Sequence, residues 1–189
     1  MPPRQIIDAR FEIVKQIGQG AFGKVYLALD LKNQSHAVAL KTEEISERCY
    51  MPMEIKICKQ LDSCPGFPKL FSSGISSDHS FVYMATDLLG PNLDELHQLC
   101  SRRFSLKTTL MLFQQLLVSV EQMHKKKFIH RDLKPKNLMM GLKENSNTLY
   151  IIDYNASRSY IDESTGLHIP LVKYSSLVGT YSFVSANGH

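Results

Sequence analysis

The sequence predicts an α+β chain of two lobes, the first built on a β-sheet and the second on helices. Three observations carry this. Strand-like runs separated by turn clusters fill residues 11–42, a long helical pattern fills residues 106–126, and Gly90-Pro91 punctuates the chain between them. Strands gathered first and helices second is the order of an α+β architecture, here with a hinge near Gly90.

The elements follow in order. Residues 11–17 are rich in β-formers, the glycine run 18–23 interrupts them, and residues 24–29 resume strand character. Asn33-Gln34-Ser35 reads as a turn and residues 36–41 as a third strand. Residues 53–61 have helical spacing, with Ile55, Cys58 and Leu61 on one expected face. Pro65-Gly66-Phe67-Pro68 breaks the chain, and residues 81–85 form a short apolar strand. Asn92 is suited to cap a helix over residues 93–100, and Ser105 to cap the helix over 106–126. In that longer helix Leu106, Leu110, Phe113, Leu117, Val120 and His124 recur at three- and four-residue steps, one side of an amphipathic helix. Lys125, Lys126 and Lys127 at its end complement the helix dipole. Residues 128–137 read as irregular and charged, 149–152 as a short buried strand, and the remainder as loop.

Composition excludes several classes. With 43% hydrophobic residues and a net charge of only +4, the chain is apolar enough to fold and too weakly charged to be disordered. No apolar run approaches the roughly 20 residues of a membrane-spanning helix, so no membrane partner is expected. No apolar segment follows Met1-Pro2-Pro3-Arg4, so no signal peptide is expected. Cys49, Cys58, Cys64 and Cys100 form no CxxC pair and no zinc-spaced cluster. They fit reduced thiols in a cytoplasmic or nuclear protein. The excess of 22 Lys and Arg over 18 Asp and Glu is too small to imply a nucleic-acid partner. A monomer is expected.

Three motifs carry chemistry. Gly18, Gly20 and Gly23 lie between two strands, whereas a dinucleotide fold needs a helix after them and a Walker loop needs GK[ST]. A flap over phosphates fits, and so, taken alone, does a plain glycine-rich hairpin. Lys41 ends the apolar run Val38-Ala39-Leu40, and a lysine buried there needs an anionic partner, for which Glu54 is suited. His130-Arg131-Asp132-Leu133-Lys134-Pro135-Lys136-Asn137 matches H-R-D-L-x-x-x-N. Asp132 is suited to accept a hydroxyl proton, Lys134 to neutralise phosphoryl charge, and Asn137 to offer oxygen to a hard cation. Asp153 follows Ile151-Ile152 sixteen residues after Asn137, where a second cation ligand belongs.

Together these residues resemble a protein kinase catalytic domain over nearly the whole chain. The resemblance is to the casein kinase 1 family. It rests on Asp87-Leu88-Leu89-Gly90-Pro91-Asn92-Leu93, on Cys100-Ser101-Arg102-Arg103-Phe104-Ser105-Leu106-Lys107-Thr108, and on His168-Ile169-Pro170. It rests also on Ser185-Ala186-Asn187, where that family has Ser-Ile-Asn.

The resemblance implies an N-lobe over residues 11–89, an antiparallel sheet plus one helix, and a partial, mainly helical C-lobe over 90–189. It implies an ATP-dependent kinase that uses magnesium and acts on Ser or Thr hydroxyls of proteins. The Gly18-Gln19-Gly20-Ala21-Phe22-Gly23-Lys24 loop would cover the phosphates. Ile17, Val25 and Ala39 would roof the adenine, with Met139 and Ile152 beneath it. Thr86 falls at the gatekeeper position, and Asp87 and Leu89 would present backbone groups to the adenine edge. Lys41, paired with Glu54, would hold the α- and β-phosphates. Asp132 would be the base, and Asn137 and Asp153 the magnesium ligands.

The sequence departs from the family pattern in places. Asp153-Tyr154-Asn155 replaces Asp-Phe-Gly, and Asn is a side chain that tolerates a left-handed backbone if position 155 requires one. Lys136 stands where the family has an acid, and Val172, Ser175 and Ser182 stand at basic positions of its anion pocket, with Lys173 displaced by one. By the resemblance, the chain also stops soon after the activation segment, so a truncated catalytic domain with an exposed apolar face is expected. The alternative function is a truncated, pseudokinase-like nucleotide-binding or scaffolding module without catalysis.

Overall fold

A computed structural model describes residues 5–20, 23–33, 36–47, 49–170 and 177–185. The chain forms two compact units. One comprises Met1–Asp62 and Pro68–Leu89, and the other Ser63–Phe67 and Gly90–His189.

The first unit is a six-stranded antiparallel sheet of order β1-β2-β3-β4-β6-β5. Its strands are β1 (Ile6–Ile7), β2 (Phe11–Gly20), β3 (Gly23–Asp30), β4 (His36–Glu44), β5 (Leu70–Ile75) and β6 (Phe81–Asp87). Alternation divides the residues between two faces. Val38, Leu40, Tyr83 and Ala85 pack with Ile7, Phe11 and Ala28 in one core. The other face of β4 and β6 carries Ala39, Lys41 and Glu43 beside Val82, Met84 and Thr86, their cross-strand partners. Helix α1 (Met51–Leu61) packs against β5 and β6. Its buried stripe is Met51, Glu54, Ile57, Cys58 and Leu61. The expected face differed: Ile55 is only half-buried, and a glutamate takes a place in the buried stripe. The short strands β1 and β5 were not legible as strands, since neither carries an alternating pattern of useful length. The sheet is pinned at one end by Arg10, which donates from Nε and a terminal nitrogen to the buried Asp30 carboxylate at 2.8 Å.

The second unit begins its helices with α2 (Leu93–Leu99), whose Asn92 and Glu95 form a reciprocal capping box. Helix α3 (Leu106–Lys125) starts at Ser105, whose side chain accepts from the Thr108 N–H. The expected exposed apolar face lies on α3. Leu106, Leu110, Phe113 and Leu117 are 75%, 57%, 54% and 53% exposed, whereas Ser119 and Met123 are buried. Polar anchoring orients the helix: Gln115 donates to the Asn147 carbonyl and accepts from the Leu149 N–H. The side that carries Gln115 therefore faces the strand Leu149–Ile151, and the leucine-rich side faces away.

The remaining strands form two small antiparallel pairs. β7 (Phe128–Ile129) pairs with β10 (Arg158–Ser159), and β8 (Leu138–Met140) with β9 (Leu149–Ile151). A short 3-10 turn, Pro135–Asn137, precedes β8, and another spans Tyr181–Phe183. The four cysteines are free thiols. Among the described residues no helix is long and apolar enough to cross a membrane.

Candidate active site

In the first unit, the cross-strand pairs Gly18 with Val25, Val25 with Lys41, and Ala39 with Thr86 set the expected nucleotide residues on one sheet face. This is the face that α1 covers in part. Lys41 Nζ donates to Glu54 Oε2 at 2.6 Å, and Glu54 is only 3% exposed. The pair turns a buried acid on α1 toward β4, so a buried charge is matched rather than left alone. Ile17 lies where the β2–β3 register shifts and is 45% exposed.

The glycines divide by need. Gly23 has φ of 125°, and a Cβ there would overlap the Thr42 carbonyl oxygen, so the hairpin requires it. Gly20 pairs with Gly23 across the hairpin, yet a Cβ on it would meet nothing within 4 Å. Its bare backbone meets no packing demand and leaves room for a close-lying anion. Gln19 pairs with Lys24 beside them, while Ala21 and Phe22 lie outside the described residues. Asp87 donates its N–H to the Lys69 carbonyl at 3.2 Å, so only its carbonyl fits the expected adenine contact. Leu89, at the end of this unit, is half-buried. A cavity of about 470 Å³ is bordered by Tyr26, Thr42 and Phe81, which alternate with the residues of the nucleotide face, and also by Gly23, Lys24 and Glu43.

In the second unit the His130-Arg131-Asp132 loop is fastened on several sides. His130 is 3% exposed, and its Nε2 lies 3.0 Å from the Ile152 carbonyl. Its Nδ1 accepts from the Asp132 N–H at 3.2 Å, so Nε2 carries the proton and donates. Arg131 donates from Nε to the Ala156 carbonyl at 2.6 Å, and Ser157 Oγ donates to the His130 carbonyl at 3.2 Å. Ile152 also donates its N–H to the Asn137 carbonyl at 3.0 Å. Both backbone groups of Ile152 therefore tie the start of the 153–155 segment to the catalytic loop.

Burial pushes the His130 pKa down. The native state then binds fewer protons than the unfolded chain, and the stability this contributes is whole above the ordinary histidine value of about 6.5. It is lost as pH falls from there through the folded-state value, at up to about 1.4 kcal/mol per pH unit. Urea unfolding across that range should show this slope, and His130→Asn should flatten it. A wild-type stability that stays level as pH drops below about 6.5 would contradict the assignment.

Asp132 carries four donors. Oδ1 accepts from the Thr180 N–H at 2.8 Å and from the Thr180 hydroxyl at 2.7 Å. Oδ2 accepts from Lys134 Nζ at 2.7 Å and from Asn137 Nδ2 at 3.2 Å. Lys134 also donates to Thr180 Oγ1 at 2.7 Å. Burial works to raise the Asp132 pKa, but the hydrogen bonds from Lys134 and Thr180 outweigh it and hold the carboxyl below its ordinary value. Nothing in the sequence near Thr180 marks it for this contact, because 48 residues separate it from Asp132 and no local pattern joins them.

The residues expected to hold a cation, Asn137 and Asp153, offer donors that suit a hard ion. Asn137 is 5% exposed and directs its Nδ2 at the Asp132 carbonyl and carboxylate, which turns its oxygen elsewhere. Asp153 follows Ile152, the residue bonded to the Asn137 carbonyl. One amide oxygen and one carboxylate, all oxygen donors, suit magnesium, which keeps waters and takes few protein ligands. Among the described residues there is no cluster of three or more His, Cys, Asp or Glu of the kind that cages a metal. Met139 and Ile152 are half-buried, and Met139 bridges to Asn92.

The departures at 154 and 155 are resolved locally. The Tyr154 hydroxyl donates to the Ile151 carbonyl at 2.6 Å, and its ring meets His130 edge-on at 5.9 Å. Asn155 is not left-handed; the left-handed residue is Asp153, with φ of 65°. The asparagine instead donates from Nδ2 to Asp153 Oδ1 at 2.7 Å, while its own oxygen is buried without a partner among the described residues. Exchanging its O and N would set two oxygens together, so Asp153 fixes the amide's orientation. Ser182 lies exposed in the 3-10 turn Tyr181–Phe183, whereas Val172, Lys173, Ser175, Ala186 and Asn187 lie outside the described residues.

The family model of the protein kinase domain matches residues 11–187. The chain belongs to the protein kinase domain family. Membership makes the chain a kinase by family and implies ATP, typically with Mg2+, and protein substrates. In this kinase domain the Gly-rich hairpin and the Lys41–Glu54 pair lie in the first unit, and the Asp132 loop with Asn137 and Asp153 in the second.

Proposed function

We propose that the chain is an ATP-dependent serine/threonine protein kinase of casein kinase 1 type. Residues 87–93 and 100–108, together with His168-Ile169-Pro170, support the subfamily. The four-donor hold on Asp132 carries the catalytic reading. Such a carboxylate stays ionised and fixed in direction, as a base aimed at a hydroxyl must be.

In this reading Lys41, braced by Glu54, binds the α- and β-phosphates, and the backbone near Gly20 approaches the phosphate oxygens. Asn137 and Asp153 hold magnesium, which when bound neutralises charge on the β- and γ-phosphates. A substrate Ser or Thr hydroxyl reaches Asp132 Oδ2, the place Lys134 occupies here. Lys134 is then released toward the γ-phosphoryl oxygens. The hydroxyl oxygen bonds to the γ-phosphorus, the bond to the β-γ bridging oxygen breaks, ADP leaves, and Asp132 takes the proton. Most of the rate comes from positioning and from matching developing charge.

The test is phosphate incorporation from ATP into Ser- and Thr-containing peptides, with Asp132→Asn as the paired control. Loss of the base is expected to lower transfer by about 10²–10⁴-fold. Equal incorporation by the two proteins would overturn the enzyme reading. ATP-Mg should also raise the melting temperature, since a ligand of the native state stabilises it. Stabilisation without transfer would favour a nucleotide-binding scaffold.

A further inference from the structure

Helix α1 has no N-terminal cap of its own. Its N-cap residue, Tyr50, has helical dihedrals of −92° and −21° and makes no side-chain capping bond. The free N–H groups of a helix start still need acceptors. Those of Tyr50 and Met51 are met from outside the helix. Glu43 Oε1 accepts from the Tyr50 N–H at 2.9 Å and Oε2 from the Met51 N–H at 2.7 Å. Each carboxylate oxygen thus takes one donor, and the negative charge sits where the helix dipole favours it. Glu43 is 8% exposed and Met51 fully buried, so the Met51 bond is shielded from water.

Glu43 lies two residues after Lys41 on β4, on the same face of the strand. Glu54 lies three residues after Met51, about one turn along α1. One strand therefore grips one helix at two neighbouring points, first by Glu43 at the helix start and then by Lys41 at Glu54. With both points held, the helix can neither slide nor rotate without breaking a charged contact. We propose that Glu43 is a positioning residue for the Lys41–Glu54 pair, a remote cap from β4 that sets the register of α1 so that Glu54 meets Lys41. The inference rests on the proposed role of Lys41 in holding ATP.

The test measures binding of a non-hydrolysable ATP analogue with magnesium, alongside thermal melting, in the full chain. Glu43→Ala is expected to weaken the analogue about tenfold, since small displacements of a positioned group carry penalties of this order or larger. In the Glu54→Ala background the same change should add little, because the pair it positions is already gone. Tyr50→Ser on top of Glu43→Ala then separates tethering from capping. A local cap should recover melting temperature without recovering affinity. Recovery of both would show that Glu43 only caps the helix and would overturn the proposal. So would wild-type affinity in Glu43→Ala while Lys41→Ala has lost binding. A wild-type chain that does not bind the analogue at all would overturn the kinase reading and this inference with it.

Discussion

Lys134→Met is expected to lower kcat/KM by about 10²–10³-fold, the usual penalty for removing one donor aimed at developing charge. Lys134 Nζ lies 2.7 Å from both Asp132 Oδ2 and Thr180 Oγ1, so one cation joins the base to the residue that steadies it. Methionine keeps the length and the apolar stem and removes only the charge and the donors. A second effect separates this role from simple packing. Burial raises the Asp132 pKa, and the hydrogen bond from Lys134 is the first of the effects that bring it down. Without the lysine the carboxyl titrates at higher pH, the ionised fraction falls sooner on acidification, and the acid limb of the kcat/KM profile moves upward. A slower enzyme whose acid limb stays where it was would mean that Lys134 acts on the phosphoryl group alone and does not tune the base.

Residues close in sequence made much of the site legible. The His130–Asn137 loop could be read because its chemistry lies within one short loop. The pairing of Lys41 with Glu54 could be inferred because a lysine in a buried strand demands an acid. The grouping of strands before helices was legible from turn residues and periodicity alone, and family membership agrees with the fold it implied. What was not legible depends on directed side-chain bonds, near or distant. Thr180 reaches Asp132 across a long loop, and nothing in its own neighbourhood marks it. The packed side of α3 is not legible from its apolar residues, because one polar residue, Gln115, bonds the backbone at Asn147 and Leu149 and sets the rotation. Asn155 was weighed as a backbone question, yet its effect runs through the side chain to Asp153. In each case directed hydrogen bonds decided what a pattern average could not.

Gly179→Ala is expected to cut transfer by at least about 10²-fold, because a shift of about 1 Å at a positioned group has that effect. Gly179 has φ of 103°, a conformation L side chains rarely adopt, and a Cβ there would overlap the Arg131 carbonyl oxygen. Two penalties therefore coincide, backbone strain of about 1–3 kcal/mol and a clash with rigid backbone that cannot turn aside. Neither neighbour can yield cheaply. Arg131 itself has φ of 67° and is held through Nε by the Ala156 carbonyl, so the strand of chain that would have to retreat is the catalytic loop. If residue 179 retreats instead, the next residue moves with it, and Thr180 withdraws both its N–H and its hydroxyl from Asp132 Oδ1. Thr180→Val is the companion variant, since it removes the hydroxyl and leaves the N–H and the glycine in place. It should reduce transfer less than Gly179→Ala does and should leave the melting temperature nearly unchanged. Steady-state kinetics and melting of both variants test the argument. Near-wild-type transfer by Gly179→Ala would show that the close approach to Arg131, and the hold on Asp132 that it delivers, are not needed for phosphoryl transfer.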